Sequence, residues 1–261
     1  ISVHAFYLLR DRYVILSQKA LKIALVVATT TALLQLASGH QSADGVAENQ
    51  PAKLAAFEGH FAESAPADLY LLGWVDKETQ TVKGIKLPGG LSFLVDWNFT
   101  TPIKGLNAFP EEDRPSAVNA VFQFYHIMVA IGMLLILITL YGTVQWWRGK
   151  IFKQRWYLWI LVFAVFLPQI SNQLGWFAAE MGRQPWVVYG HLRTADALSE
   201  SVDASSVLFS LIFFTLIYAL LFTLFIYLLD RKIKKGPYDE SDIPDRPLLK
   251  DIAYQFDNKK S

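Results

Sequence analysis

Trp176-Phe177-Ala178-Ala179-Glu180-Met181-Gly182-Arg183-Gln184-Pro185-Trp186 closes an apolar run that begins at Trp156. Residues 156–177 are long enough to cross about 30 Å of hydrocarbon as a helix. Where the run ends, a carboxylate, a guanidinium and two indoles fall within eleven residues. Ionisable groups at the edge of a span are costly to place and are usually retained for function. Glu180 and Arg183 are three apart and share a face if the helix reaches them. Gln184-Pro185 then stops it, because proline has no N–H and disfavours helix in the residue before it. An interfacial belt accounts for the same residues, with Trp176 and Trp186 at the headgroups and Glu180 and Arg183 as a solvated pair.

The rest of the 261 residues agrees with a membrane chain: 53% are hydrophobic, 14% aromatic and only 18% charged. A net charge of +1 gives no basic field for nucleic acid, and no nucleic-acid partner is expected. The absence of cysteine excludes disulfides, thiolate haem ligation and cysteine-bound iron–sulfur clusters within the chain. Residues 1–9 read as the end of a span cut midway, so the chain is expected to be a C-terminal portion, or one half of a divided protein. Residues 21–37 imitate a signal peptide, but the spans that follow favour a membrane helix.

The pattern predicts an all-α, polytopic membrane bundle: the end of one span and four full ones at 21–38, 117–141, 156–177 and 206–229. Basic clusters precede the first full span (Arg10, Arg12, Lys19, Lys22), join the second to the third (Arg148, Lys150, Lys153, Arg155) and follow the last (Arg231, Lys232, Lys234, Lys235). All fall on one side, the cytoplasm by the positive-inside rule. The chain divides into 1–38, an outward-facing loop 39–116, a three-helix region 117–230 and a charged cytoplasmic tail 231–261. Within the loop, 51–61 reads as a short amphipathic helix. Gly39 to Gly45, Gly73-Trp74-Val75, 87–91 and Asp96-Trp97 read as turns or short surface pieces.

Two further stretches carry chemistry. Phe122-Gln-Phe-Tyr-His126-Ile-Met128-Val-Ala-Ile-Gly132 opens the second full span. A methionine there is packing, or an axial thioether ligand to a low-spin haem iron. His126 and Met128 are about 200° apart around a helix, so both cannot face one iron. Gln50-Pro-Ala-Lys53-Leu-Ala-Ala-Phe57-Glu58 sets a cation and a carboxylate about 140° apart. They read as solvated surface charges, or as the two sides of a site around a bound ring.

Gly182-Arg183-Gln184-Pro185-Trp186, with Glu180 and Trp176 before it, resembles the signature of subunit I of cytochrome bd quinol oxidases. The stretches around Met128 and from Lys53 to Glu58 resemble that family's low-spin haem segment and quinol-loop motif. The similarity runs from the cut span to the last one, and the loop resembles the short-loop branch.

The resemblance implies Met128 as ligand of the low-spin haem b iron and Glu180 as ligand of the high-spin haem b iron. Arg183 would pair with haem propionates or balance Glu180, and Trp176 would pack between macrocycles. His126 stands where the family often has arginine, as a further cofactor-binding candidate. Lys53 and Glu58 would serve quinol oxidation, the carboxylate as general base and the cation beside the developing quinolate. The implied reaction passes electrons from ubiquinol or menaquinol through the b haems to haem d, where O2 becomes water, and generates proton-motive force. The implied partners are the N-terminal half of the subunit, subunit II, small single-span subunits and membrane lipid. The competing readings are a transporter subunit, a quinone-binding anchor, or a silent relative that keeps the fold without oxygen chemistry.

Overall fold

The structure is a computed structural model that describes residues 1–199 and 201–237. The tail expected from 231 onward lies, beyond residue 237, outside the described residues. Among the described residues, four helical stretches are long and apolar enough to cross a membrane: Val14–Asn49, Glu111–Trp147, Arg155–Gly182 and Ala204–Lys235. Each contains one of the four predicted full spans.

α1 covers Ser2–Leu9, within the stretch expected to end a span. Its Ala5, Leu8 and Leu9 are buried with Leu21 and Leu25 of α2 (Val14–Asn49) and with Leu158 and Leu161 of α6 (Arg155–Phe163). The buried positions of α2 are Ser17, Leu21, Leu25 and Thr29, a stripe at four-residue spacing. It ends in a hydrogen bond between the Thr29 and Thr143 hydroxyls at 2.9 Å, which joins α2 to α5 (Val118–Trp147).

α2 continues eleven residues past the predicted end of its span, so the turn expected at Gly39 to Gly45 is helix instead. Each glycine costs about 1 kcal/mol there relative to alanine. No proline interrupts the chain before Pro51, and adding a residue to an existing helix is far easier than starting one. Ser42 and Asn49 donate back to the Ser38 and Gly45 carbonyls, which occupies their polar side chains within the helix.

The third span is not one helix but two, α6 and α7 (Phe166–Gly182). Pro168 lies in the first turn of α7, where its missing N–H and its ring oppose a continuous ladder back to Ala164. α7 packs along α5.

The segment between α2 and α5 holds more strand than expected. After the short α3 (Pro51–Phe57), β1 (Leu69–Asp76) and β2 (Thr81–Leu87) form an antiparallel hairpin with a bulge at Tyr70/Leu72, followed by α4 (Gly90–Asp96). Gly73-Trp74-Val75 is therefore strand, not turn. Gly73 lies opposite Gly84, and the paired glycines hide the alternation that marks a strand in sequence.

The free side of β1 rests on α5. Asn119 Oδ1 accepts from Val75 N at 3.0 Å, Gln123 Nε2 donates to Gly73 O at 2.7 Å, and His126 Nε2 lies 2.6 Å from Tyr70 O. Positions 119, 123 and 126 share one helix face. Past α7, β3 (Trp186–Val188) and β4 (Leu192–Arg193) make a second small hairpin. Both hairpins supplement a mostly helical molecule. α8 (Ala204–Lys235) belongs to a separate unit, Glu200–Ser261, and ends in a Lys234–Asp230 pair at 2.7 Å.

Candidate functional site

α3 begins with Pro51 at its first position, where the missing N–H costs nothing. Ala55, Ala56 and Phe57 are buried against Val121 and Phe122 of α5 and Ala178 of α7. The helix stops at Phe57, and Glu58 caps it. The next residue, Gly59, has φ +61, and a Cβ there would come within 2.8 Å of Val75 and 3.3 Å of Phe122. Only glycine lets the chain turn this close to α5.

Glu58 is thereby carried inside, 4% exposed. Its Oε2 has no hydrogen-bond partner and lies 3.8 Å from His126 Nε2. Burial pushes the carboxyl up to about 8. The His126 ring stacks on Phe122 at 3.8 Å, with Nδ1 2.9 Å from Phe122 O and Nε2 2.6 Å from Tyr70 O. A neutral imidazole donates at one nitrogen only, so the ring donates to one of these two carbonyls, according to its tautomer.

Lys53 does not share this site. It lines a cavity of roughly 190 Å³ with Gln50, Glu180, Arg183, Trp186 and Tyr189. Arg183 Nη2 donates to Glu180 Oε2 at 2.6 Å, the predicted three-residue pair. Burial, then the positive charge of Arg183, pushes the Lys53 ammonium below its ordinary value, and Glu180 opposes the shift. Gln50 Oε1, Arg183 Nε and Trp186 Nε1 are buried without partners. The Trp186 ring is held by Arg193, whose guanidinium sits 5.0 Å from the ring centre and bonds Asp113 Oδ1 at 2.6 Å. The expectation that Lys53 and Glu58 flank one ring is met by two separate settings on one short helix.

Met128 faces the seam between α5 and α7. A Cβ on Gly175 would stand 2.6 Å from its sulfur, and Ser171 Oγ donates to Met128 O at 3.2 Å. Trp176, on the next position of α7, is 57% exposed, with its ring 5.4 Å from Phe177. The sequence reading did not single out Gly175 or Gln50, and it placed Trp186 in the interfacial belt or in the signature without a contact of its own. For Gly175 a signal existed: Ser171, Gly175 and Ala179 repeat small residues every four positions, the pattern of close helix approach in membranes. Among the described residues, no cluster of three or more His, Cys, Asp or Glu is placed to hold a metal ion. A haem iron needs at most two protein ligands, so this does not bear against it.

Fold and sites together define a polytopic helical membrane protein whose polar groups gather where a folded loop meets the spanning helices. The family model for cytochrome bd terminal oxidase subunit I matches residues 1–237, and the chain belongs to that family of oxidoreductase subunits. It is 35% identical over 254 residues to cytochrome bd ubiquinol oxidase subunit 1 of Bacillus subtilis (strain 168), covering 93% of this chain and 54% of that one. It is 28% identical over 302 residues to cytochrome bd-II ubiquinol oxidase subunit 1 of Escherichia coli (strain K12), covering 90% and 59%. The solved bd oxidase from Geobacillus thermodenitrificans superposes with a TM-score of 0.78 at 30% identity, over 90% of this chain and 54% of that chain. The chain spans a little over half the length of these relatives.

The family implies haem, and the residues present fit it. The Met128 thioether lies in the seam between α5 and α7, so close to Gly175 that a Cβ there would stand 2.6 Å from the sulfur. Glu180 offers a hard oxygen donor beside a guanidinium.

Proposed function

We propose that this chain forms part of a respiratory quinol:oxygen oxidoreductase, completed by the N-terminal part of the subunit and by a second subunit. Family membership over residues 1–237 carries this reading. Met128 would hold the low-spin haem b iron and Glu180 the high-spin one, with Arg183 and Trp176 beside them. Bound haem supplies one-electron transfer and, at haem d, the reduction of O2 to water.

The chain's own residues handle protons and position. Oxidising a quinol releases two protons, and Glu58 Oε2 is a free acceptor for one. A carboxyl held near pH 8 both takes a proton and releases it close to the working pH. His126 fixes the site's geometry by bonding the β1 backbone beside Glu58. The same reading puts the long loop on the outer face and the Arg148 to Arg155 cluster inside, by the positive-inside rule. Lipid surrounds the bundle, and small single-span subunits complete it.

The test is the reduced-minus-oxidised optical spectrum of the complex purified through this chain. Low-spin b bands with a far-red chlorin band are expected. The b bands without the far-red band would identify a relative without oxygen chemistry. A flat spectrum from intact complex would remove haem from the account and leave a transporter or anchor.

A further inference from the structure

The β1–β2 hairpin is apolar on both faces. Its inner face is covered within the protein, where Val75 and Val82 pack against Phe122. Leu72 and Trp74 alternate to the other face of β1, and their partners Ile85 and Lys83 share that face. There Leu72, Trp74 and Ile85 are 62–63% exposed. A hairpin with one face in water carries polar residues on it, so this face has a cover of another kind.

Depth identifies the cover. No charged residue lies between His126 and Arg148 on α5, or between Lys22 and His40 on α2. At 1.5 Å per residue these stretches rise about 33 Å and about 27 Å, close to the roughly 30 Å of a hydrocarbon layer. His126 and His40 therefore mark one level on two spans, the loop-side edge of the hydrocarbon. The loop touches both. Tyr70 O lies 2.6 Å from His126 Nε2, and the Trp97 ring meets the His40 ring edge-on at 5.3 Å. From Tyr70, β1 climbs past Gln123 to Asn119. Trp74 and its partner Lys83 thus rise into the headgroup layer, which adds about 5–7 Å on each side.

Below them, Leu72 lines a cavity of roughly 190 Å³ with Ile127, Ile131 and Leu134, which continue the apolar surface up to two turns into the span. The residue types separate lipid from protein as the cover. Lysine is depleted at protein–protein interfaces, whereas tryptophan and lysine at the edge of a span are the residues that anchor at headgroups. Asp76, the acid that feels Lys83, accepts instead from the turn amides of Glu78 and Thr79. An ammonium donates only, and a phosphate accepts.

We propose that this face docks on lipid: Leu72 and Ile85 enter the acyl edge of the loop-side leaflet, Trp74 sits among the headgroups, and Lys83 meets the phosphate of an acidic phospholipid. Trp97 is a second foothold at the same level. The hairpin is then held from two sides, by α5 within the protein and by lipid outside it. Nothing in this docking needs haem, so its failure would leave the proposed function untouched.

The chain has no cysteine, so a single introduced one reports a single place. Leu72→Cys, Ile85→Cys and, at the turn of the hairpin, Lys77→Cys are spin-labelled in the intact complex in phosphatidylcholine vesicles, with the unsubstituted complex as the blank for other subunits. All three positions are exposed, so labelling leaves the core intact. Relaxation by oxygen, which concentrates in lipid, is compared with relaxation by a water-soluble nickel chelate. The ratio of oxygen to nickel effect should be several-fold higher at positions 72 and 85 than at 77. Phosphatidylglycerol in the vesicles should raise it further at 85, and Lys83→Gln should abolish that rise. Labels at 72 and 85 as open to nickel as the one at 77 would place the face in water, and labels shielded from both reagents would place it under another protein segment. Either result overturns the proposal. Equal ratios with and without phosphatidylglycerol would overturn the acidic headgroup as the partner of Lys83.

Discussion

His126 Nε2 and Glu58 Oε2 lie 3.8 Å apart in a site nearly closed to solvent, with the histidine on a spanning helix and the carboxylate at the end of a loop helix. The pair joins the loop that would meet quinol to the helix that carries Met128.

Glu58 makes stability depend on pH in a defined direction. Its carboxyl rises from 4.5 to about 8 on folding. Between those values the folded state holds more protons on this group than the unfolded state. Stability is therefore full below about pH 4.5 and falls as pH rises through that window. Thermal denaturation of the complex from about pH 5 to 9 should show Glu58→Gln gaining on the parent as pH climbs. Parallel curves would mean that Glu58 is not the group responsible.

His126→Ala should loosen the hairpin rather than the bundle. It leaves the Tyr70 carbonyl without its side-chain partner, a cost of about 1–3 kcal/mol. Limited trypsin digestion reads the effect through Lys77 and Lys83, which should be cut sooner. Unaltered cleavage would show that Asn119 and Gln123 hold the strand alone.

Gly175→Ala adds a Cβ 2.6 Å from the Met128 sulfur. Overpacking of this kind costs about 1–3 kcal/mol, and it displaces the proposed ligand. The low-spin b bands should shift or weaken while the high-spin bands persist, and Met128→Leu should abolish the low-spin bands. A spectrum indifferent to both variants would leave Met128 as packing.

Glu180→Ala should change cofactor content far more than stability. The Glu180 and Arg183 side chains are 36–37% exposed, and so open a pair contributes at most about 1 kcal/mol. A melting temperature within a few degrees of the parent, with the high-spin bands lost, is the expected result. A large fall in melting temperature with those bands retained would make the pair structural.

The spans were legible because length and hydropathy are properties of single segments, and Glu180 with Arg183 because helical spacing fixes a three-residue pair. What escaped depends on contacts between segments. Gly73 and Gly84 erase the strand pattern locally and make sense only opposite each other. The separation of Lys53 from Glu58 comes from α3 stopping at Phe57, which Gly59 and its tight approach to Val75 and Phe122 impose. Gln50 and Trp186 acquire meaning only when α3 and the chain after α7 close around one cavity.

The rungs from Asn119, Gln123 and His126 set the registration of β1 from outside the sheet. Hairpins usually take their alignment from the turn that joins their strands. Here a helix with a repeat of about 3.6 residues reads a strand with a repeat of 2. A slide of β1 by one residue would turn its backbone groups away from all three side chains and bring the face now on α5 out to solvent. Bulge and rungs thus act as a vernier, matching two unequal periods at a single alignment.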